Sequence, residues 1–104
     1  MILHSMLTSG KSGVAARGIC FCAAHGKPTK ENISDIQALI TSPIGQERIA
    51  NRPLSAYAQA ALSIFGVKPY DGSDSEILDA ITMLTSEINL AHMRSCEEYH
   101  QVFN

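Results

Sequence analysis

Cysteine and histidine side chains occur close together near the N-terminus, in a pattern that can bind a metal ion. Cys20 and Cys22 are followed by His25, and thiolates and imidazoles are the usual ligands of zinc. A structural zinc site ordinarily needs four ligands, commonly with C-x2-C or wider spacing, so His4 would have to complete the set. Buried cysteines far more often serve as small apolar residues. We therefore expect Cys20 and Cys22 to be core residues.

A second group of the same residue types lies near the C-terminus. His92, Cys96 and His100 follow one another at intervals of four residues, which places them in a row along one side of a helix. Neighbours in such a row can share a metal ion, and an imidazole can activate Cys96 as a nucleophile. The row borders the apolar face of the predicted helix, where a thiol lacks access to substrate. We therefore predict no metal site and no catalytic residue here.

The segment Ser9-Gly10-Lys11-Ser12 contains the G-K-S that ends a phosphate-binding loop, whose full pattern is G-x-x-x-x-G-K-[ST]. Ser5 stands where the first glycine is required. We interpret the segment as an exposed loop. Because the sequence also lacks paired carboxylates placed with a histidine and any cofactor loop, it predicts no cofactor and no enzyme activity.

Composition predicts one folded domain spanning residues 1–104. The chain is 45% hydrophobic and 17% charged, which is normal for a domain with a buried core. The net charge is −2 and the sequence has no run of basic residues, so neither nucleic acid nor a membrane surface is the favoured partner.

The cysteines and the N-terminus indicate the compartment. Three cysteines cannot all pair within one chain, and the first seven residues lack the basic start of a signal peptide. We expect free thiols and a cytoplasmic location.

The last third of the chain predicts one long amphipathic helix from Ser73 to Phe103. Ser73 and Glu76 have the spacing of a capping box, and no glycine or proline follows them. Apolar residues fall on a stripe about 80° wide. They are Ile77, Ile81, Leu84, Ile88, Ala91, Tyr99 and Val102. A helix of this length is roughly 43 Å long, more than a domain of about 100 residues easily covers, so part of it should project or pair.

A second apolar patch on the same helix predicts a partner surface. Met83, Leu90 and Met93 lie opposite the core stripe, where a fully solvated helix needs no apolar residues. In an antiparallel pair with a two-fold axis near Ser86 or Leu90, Arg94 of one chain can meet Glu87 or Glu97 of the other. These residues predict a homodimer. The function that follows is that of a small helical protein–protein interaction or adaptor protein.

The middle of the chain predicts further helices. Thr29 caps one that must end near Ser42, because Pro43 disfavours helical geometry in the residue before it. Residues 44–51 predict a short, more charged helix. Pro53 opens another from Leu54 to Phe65, which Gly66 ends.

The secondary structure of the first 28 residues is harder to predict than that of the rest of the chain. The continuous apolar run within residues 14–24 fits either a buried strand or a short helix. We favour a helix, because a lone hairpin is only marginally stable. The predicted fold class is therefore all-α, a single domain of four or five helices. A short β-hairpin in the first 25 residues, giving an α+β fold, is the alternative.

An alternative function is that of a DNA-associated regulatory protein. Residues 59–62 and 65–67 look somewhat like the first helix and turn of a helix-turn-helix. The next segment, however, carries four acidic residues between positions 71 and 79, and these would repel phosphates. DNA binding would have to use another surface, formed by Arg48, Arg52 and Lys68.

Overall fold

Helices dominate the structure, a computed structural model that describes residues 2–25 and 28–103, with side chains described at 3–24 and 28–90. The described residues form α1 (Ile2–Leu7), α2 (Ser12–His25), α3 (Lys30–Thr41), a 3-10 helix (Pro43–Gln46), β1 (Arg48–Ile49), β2 (Arg52–Pro53), α4 (Leu54–Ile64) and α5 (Ser75–Phe103). The predicted all-α fold is confirmed. Residues 2–25 form two helices, so the alternative of an N-terminal β-hairpin is wrong.

Helix α4 lies at the centre of the domain. Its buried residues are Leu54, Ala56, Tyr57, Ala58, Ala60, Ala61 and Leu62. These point in nearly all directions around the helix, and α4 contacts α2, α3 and α5. Its four alanines let the neighbouring helices approach closely. The described core side chains accordingly form one hydrophobic cluster around α4, and the long C-terminal helix packs at its side.

The end of α4 and the connection to α5 are held by backbone and side-chain hydrogen bonds. Gly66 has a φ of +74°, and the N–H groups of Gly66 and Val67 bind the carbonyls of Ser63 and Leu62, which is a Schellman motif. Tyr70 then fixes the connection, because its N–H donates to Ser63 Oγ at 3.1 Å. The predicted glycine stop of this helix is confirmed.

Helix α3 has the predicted boundaries. Thr29 Oγ1 accepts from the N–H of Asn32 at 3.1 Å and caps its start. The helix ends at Thr41, and Ser42 Oγ accepts from the N–H of Ile44 at 3.3 Å to begin the 3-10 helix. Proline at position 43 explains the stop, since it cannot continue the hydrogen bonding of the preceding helix.

The predicted short helix over residues 44–51 is wrong. Only Pro43–Gln46 is helical, as a 3-10 turn, and the chain then forms a hairpin in which Arg48 pairs with Pro53 and Ile49 with Arg52. Ala50 and Asn51 connect the strands with φ values of +52° and +70°. Two residues with positive φ make a type I′ turn, which suits the twist of paired strands.

The predicted N-cap of the long helix is wrong by one residue. Helix α5 begins at Ser75, and Asp74 Oδ1 accepts from the N–H groups of Glu76 at 2.9 Å and Ile77 at 3.4 Å. Asp74 is therefore the cap in place of Ser73. The hydroxyl of Tyr70 accepts from the Asp74 N–H at 2.8 Å, which holds Asp74 in the capping position. Helix α5 runs to Phe103, as predicted.

The apolar face of α5 is broader than the predicted stripe. Ile77, Ala80 and Leu84 are buried, and Met83 packs against the core cluster. Both α2 and α4 contact α5, so its buried face extends toward Ala80 and takes in the side of Met83. In the described part of the chain, no helix combines the length and apolar character needed to cross a bilayer.

Candidate functional site

The predicted partner surface on α5 is only partly on the outside of the molecule. Met83 packs against the hydrophobic core, so its predicted place opposite the core stripe is wrong. Leu90 faces nearly the same side about two turns farther along the helix, and it is 46% exposed. The side chains of Met93 and Arg94 lie outside the described residues. Leu90 is thus the residue on which a partner surface can be argued.

The beginning of α5 is joined to the hairpin by two ion pairs. The Arg48 guanidinium donates to Glu76, and Arg52 binds Asp79 Oδ2 at 2.5 Å. Both carboxylates lie within the first two turns of α5. Within the described residues, the ion pairs that reach α5 from other elements are confined to this end of the helix. The N-terminal part of α5 is thereby fixed to the domain.

Farther along α5, Leu90 is exposed, and Phe21 on the neighbouring helix α2 is exposed as well. The charge of Glu87 raises the pKa of the Cys20 thiol, although burial raises that pKa more. Glu87 therefore lies near α2, and it precedes Leu90 by less than one helical turn. Phe21, the neighbour of Cys20, is 55% exposed. Phe21 and Leu90 are thus large apolar residues that α2 and α5 each expose.

The arginines of the DNA-binding alternative are engaged within the molecule. Arg48 and Arg52 form the ion pairs with α5, and Arg52 also donates to the Tyr57 hydroxyl at 3.2 Å. Lys68 lines a cleft of about 250 Å³ between α3, α4 and the connection to α5, and Asp71 lines the same cleft. Each of the three cationic residues thus lies near a carboxylate, which weakens the case for a phosphate-binding surface.

The structure does not bring Cys20, Cys22 and His4 together. The two cysteines lie two residues apart on α2 and so point to nearly opposite sides of that helix. Cys22 is 4% exposed, and burial raises the pKa of both thiols. Both are free cysteines in the described structure. Within the described residues, Cys20, Cys22 and His4 form no common group of ligand atoms, and the side chain of His25 lies outside the described residues.

The second metal-ligand candidate is the row on α5. His92, Cys96 and His100 belong to this helix, but their side chains lie outside the described residues.

The G-K-S segment follows helix α1 and not a strand. Ser12 Oγ in this segment donates a hydrogen bond to Glu47 Oε1 at 2.9 Å. That segment thus lacks the strand that precedes a phosphate-binding loop.

His4 instead meets two carboxylates that sequence reasoning did not select. Its Nδ1 lies 2.6 Å from Asp35 Oδ2 and 3.0 Å from Glu31 Oε1. The hydrogen bond to Asp35 raises the pKa of His4, burial opposes this, and the charges of Asp35 and Glu31 add to the increase. Glu31 and Asp35 are four residues apart on α3, a spacing visible in the sequence. Their approach to His4 depends on the packing of α1 against α3.

Two sites therefore emerge from the described residues: the outer side of α5 around Leu90, and the cluster of His4, Glu31 and Asp35. The first is apolar and lies on a long helix, whereas the second is polar and joins two helices. No protein-family model, curated protein or solved structure matches this chain.

Proposed function

We propose that this protein is a small, non-enzymatic, cytoplasmic interaction protein that pairs with a second copy of itself through the outer face of α5. The observation that carries the proposal is the exposure of Leu90, at 46%, on a helix of 29 residues. The free thiols of Cys20 and Cys22 support a reducing compartment.

The domain's own core leaves Leu90 uncovered because of its place along α5. Met83 points within about 20° of Leu90 around the helix axis and packs against the core cluster, whereas Leu90, roughly two turns farther along α5, is 46% exposed. The ion pairs of Arg48 and Arg52 hold α5 to the domain through Glu76 and Asp79, at the opposite end of the described helix. A partner would cover Leu90 where this domain does not.

A second copy in antiparallel orientation matches the sequence of α5 on this side. A two-fold axis at Leu90 brings Leu90 against its symmetry mate. It also sets residue 94 of one chain level with residue 86 of the other, so the positive charge of Arg94 lies next to Glu87 of the second copy. Met93, an adaptable apolar residue, comes level with Glu87 and flanks the centre. The pair is thus apolar at its centre and complementary in charge at its rim.

Sedimentation equilibrium of Leu90→Glu tests this interface. We expect a wild-type dimer at tens of micromolar and a folded monomer for Leu90→Glu, because the two glutamates would face each other at the axis. Leu78→Glu is the matched control, since Leu78 is 45% exposed on the same helix but lies about 120° from Leu90 around the axis. This control should remain dimeric.

The two variants also define the results that would reject the proposal. A monomeric wild-type protein at tens of micromolar would remove it, and so would a Leu90→Glu variant that still dimerises. Equal loss of dimer in Leu78→Glu would place the interface elsewhere on α5. Helical circular dichroism identical to the wild type shows that each variant is folded.

DNA association is the second proposed function, and the structure supports it less. Arg48 and Arg52 already neutralise Glu76 and Asp79, so their use on phosphates would require breaking those pairs. Retention on a DNA column that falls steeply with salt would favour this function. An Arg48→Ala, Arg52→Ala variant that loses this retention while staying folded would assign it to these residues.

A further inference from the structure

Two carboxylates of α3 converge on a single nitrogen atom of α1. His4 Nδ1 lies within hydrogen-bonding distance of both Asp35 Oδ2 and Glu31 Oε1, and the three ligand atoms all lie within 4.8 Å of one another. One imidazole nitrogen carries at most one proton, so it can neutralise only one of the two negative charges. The three side chains together therefore stay negatively charged even when His4 is protonated.

We propose that His4, Glu31 and Asp35 form a binding site for a divalent transition-metal ion of the zinc type. One imidazole nitrogen and two carboxylate oxygens are a suitable donor set, because zinc binds both groups at about 2.0–2.2 Å. Three protein ligands leave a coordination position for water. A divalent ion also supplies the two positive charges that the carboxylates require, which a single proton on His4 does not.

The geometry needs only a small adjustment to accept the ion. Ligand atoms around one tetrahedral zinc ion lie roughly 3.3–3.5 Å apart, whereas His4 Nδ1 is 2.6 Å and 3.0 Å from the two carboxylate oxygens. The side chains of His4 and Glu31 are 44% and 59% exposed. They can therefore rotate outward by the required distance. Asp35, with a side chain only 12% exposed, is the fixed member of the set.

The remaining coordination position is open to solvent water, because the side chains of His4 and Glu31 are both exposed. Asp35 alone of the three also lines a cleft of about 190 Å³, together with Leu7 and Leu39. The ion would bridge α1 and α3 and would tie the short N-terminal helix to the domain.

Metal titration of the full chain tests the site. Metal-free protein is titrated with Zn²⁺ by calorimetry and with Co²⁺ by visible absorption. We expect one ion per chain, and a cobalt spectrum without the charge-transfer bands of a thiolate ligand. His4→Ala and Asp35→Asn should each weaken binding at least tenfold. Asp71→Asn, which removes an exposed carboxylate elsewhere, should leave binding unchanged.

A background variant separates this site from the histidines and cysteine of α5. The combined changes His92→Ala, Cys96→Ser and His100→Ala should leave the stoichiometry and affinity unchanged. Absence of binding by the wild type, undiminished binding in His4→Ala, or loss of binding in the background variant would each overturn the proposal. Nitrogen–proton NMR spectra that match the wild type away from residue 4 show that His4→Ala remains folded.

Discussion

The hydroxyl of Tyr57 donates a hydrogen bond to the backbone carbonyl of Ile49 at 2.8 Å, and so joins the central helix to the end of β1. Tyr57 is only 2% exposed. The Arg52 guanidinium donates to the same hydroxyl at 3.2 Å and lies 5.9 Å from the centre of the ring. One buried side chain thus links the hydrophobic core, the hairpin and the ion pair of Arg52 with Asp79.

We expect Tyr57→Phe to lower the free energy of unfolding by about 1 kcal/mol, because it leaves the Ile49 carbonyl without this donor. Urea denaturation measures the loss. Tyr70→Phe is the comparison, since the Tyr70 hydroxyl accepts from the N–H of the exposed residue Asp74, where water can replace it. A loss as large in Tyr70→Phe as in Tyr57→Phe would contradict this difference.

Asp74→Ala should destabilise the protein by about 0.5–2 kcal/mol, the usual loss for removal of a helix N-cap. The reason is that Asp74 Oδ1 accepts from the first N–H groups of α5. Ser73→Ala is the matched control and should leave the denaturation midpoint nearly unchanged. If Ser73→Ala were the more damaging change, the cap predicted from the sequence would be the correct one.

Gly45→Ala should destabilise the protein by about 1–3 kcal/mol, as expected for overpacking. A Cβ atom on Gly45 would lie 2.6 Å from the backbone oxygen of Leu39 at the end of α3, and a backbone atom cannot move aside alone. Gly13→Ala is the control, because a Cβ there meets open space on α2. That change should stabilise the helix by up to about 1 kcal/mol. Thermal melts of the two variants should therefore shift in opposite directions.

Cys20 should react slowly with iodoacetamide at pH 8, because burial and the charge of Glu87 both raise the pKa of its thiol and only the thiolate reacts. Glu87→Gln removes the charge and should make alkylation of Cys20 faster. Glu47→Gln, at a carboxylate that contacts Ser12 instead, should not change the rate. Peptide mass spectrometry measures the rate at Cys20 separately from the other thiols. Equal rates in all three proteins would contradict the role of Glu87.

Local signals in the sequence predicted the helices that begin and end with strong capping or stop residues. Thr29 and Pro43 bound α3, and Pro53 and Gly66 bound α4, because their backbone preferences act over only a few residues. The hairpin was missed for the opposite reason. Ala50 has no intrinsic preference for positive φ, and contacts with distant residues of α4 and α5 hold the turn.

The candidate sites depended even more on contacts between distant residues. The pairing of His4 with Asp35 spans 31 residues, so no local pattern could reveal it, although the spacing of Glu31 and Asp35 on one helix was visible. Periodicity places Met83 and Leu90 on the same side of α5, but it does not show where along the helix the packing against the domain ends. Met83 therefore packs against the core cluster, whereas Leu90, farther along the helix, is exposed.

The alanines of α4 have a consequence for how the sequence of this protein can change over evolution. Ala58, Ala60 and Ala61 are fully buried between helices, so almost any replacement there is an enlargement that would force the neighbouring helices apart. Exposed positions of α5 outside the proposed interface at Leu90 carry no such restriction. Homologous chains should therefore diverge quickly at those exposed positions while retaining small residues at these three positions of α4, and that short pattern of small side chains would serve as a signature for finding distant relatives.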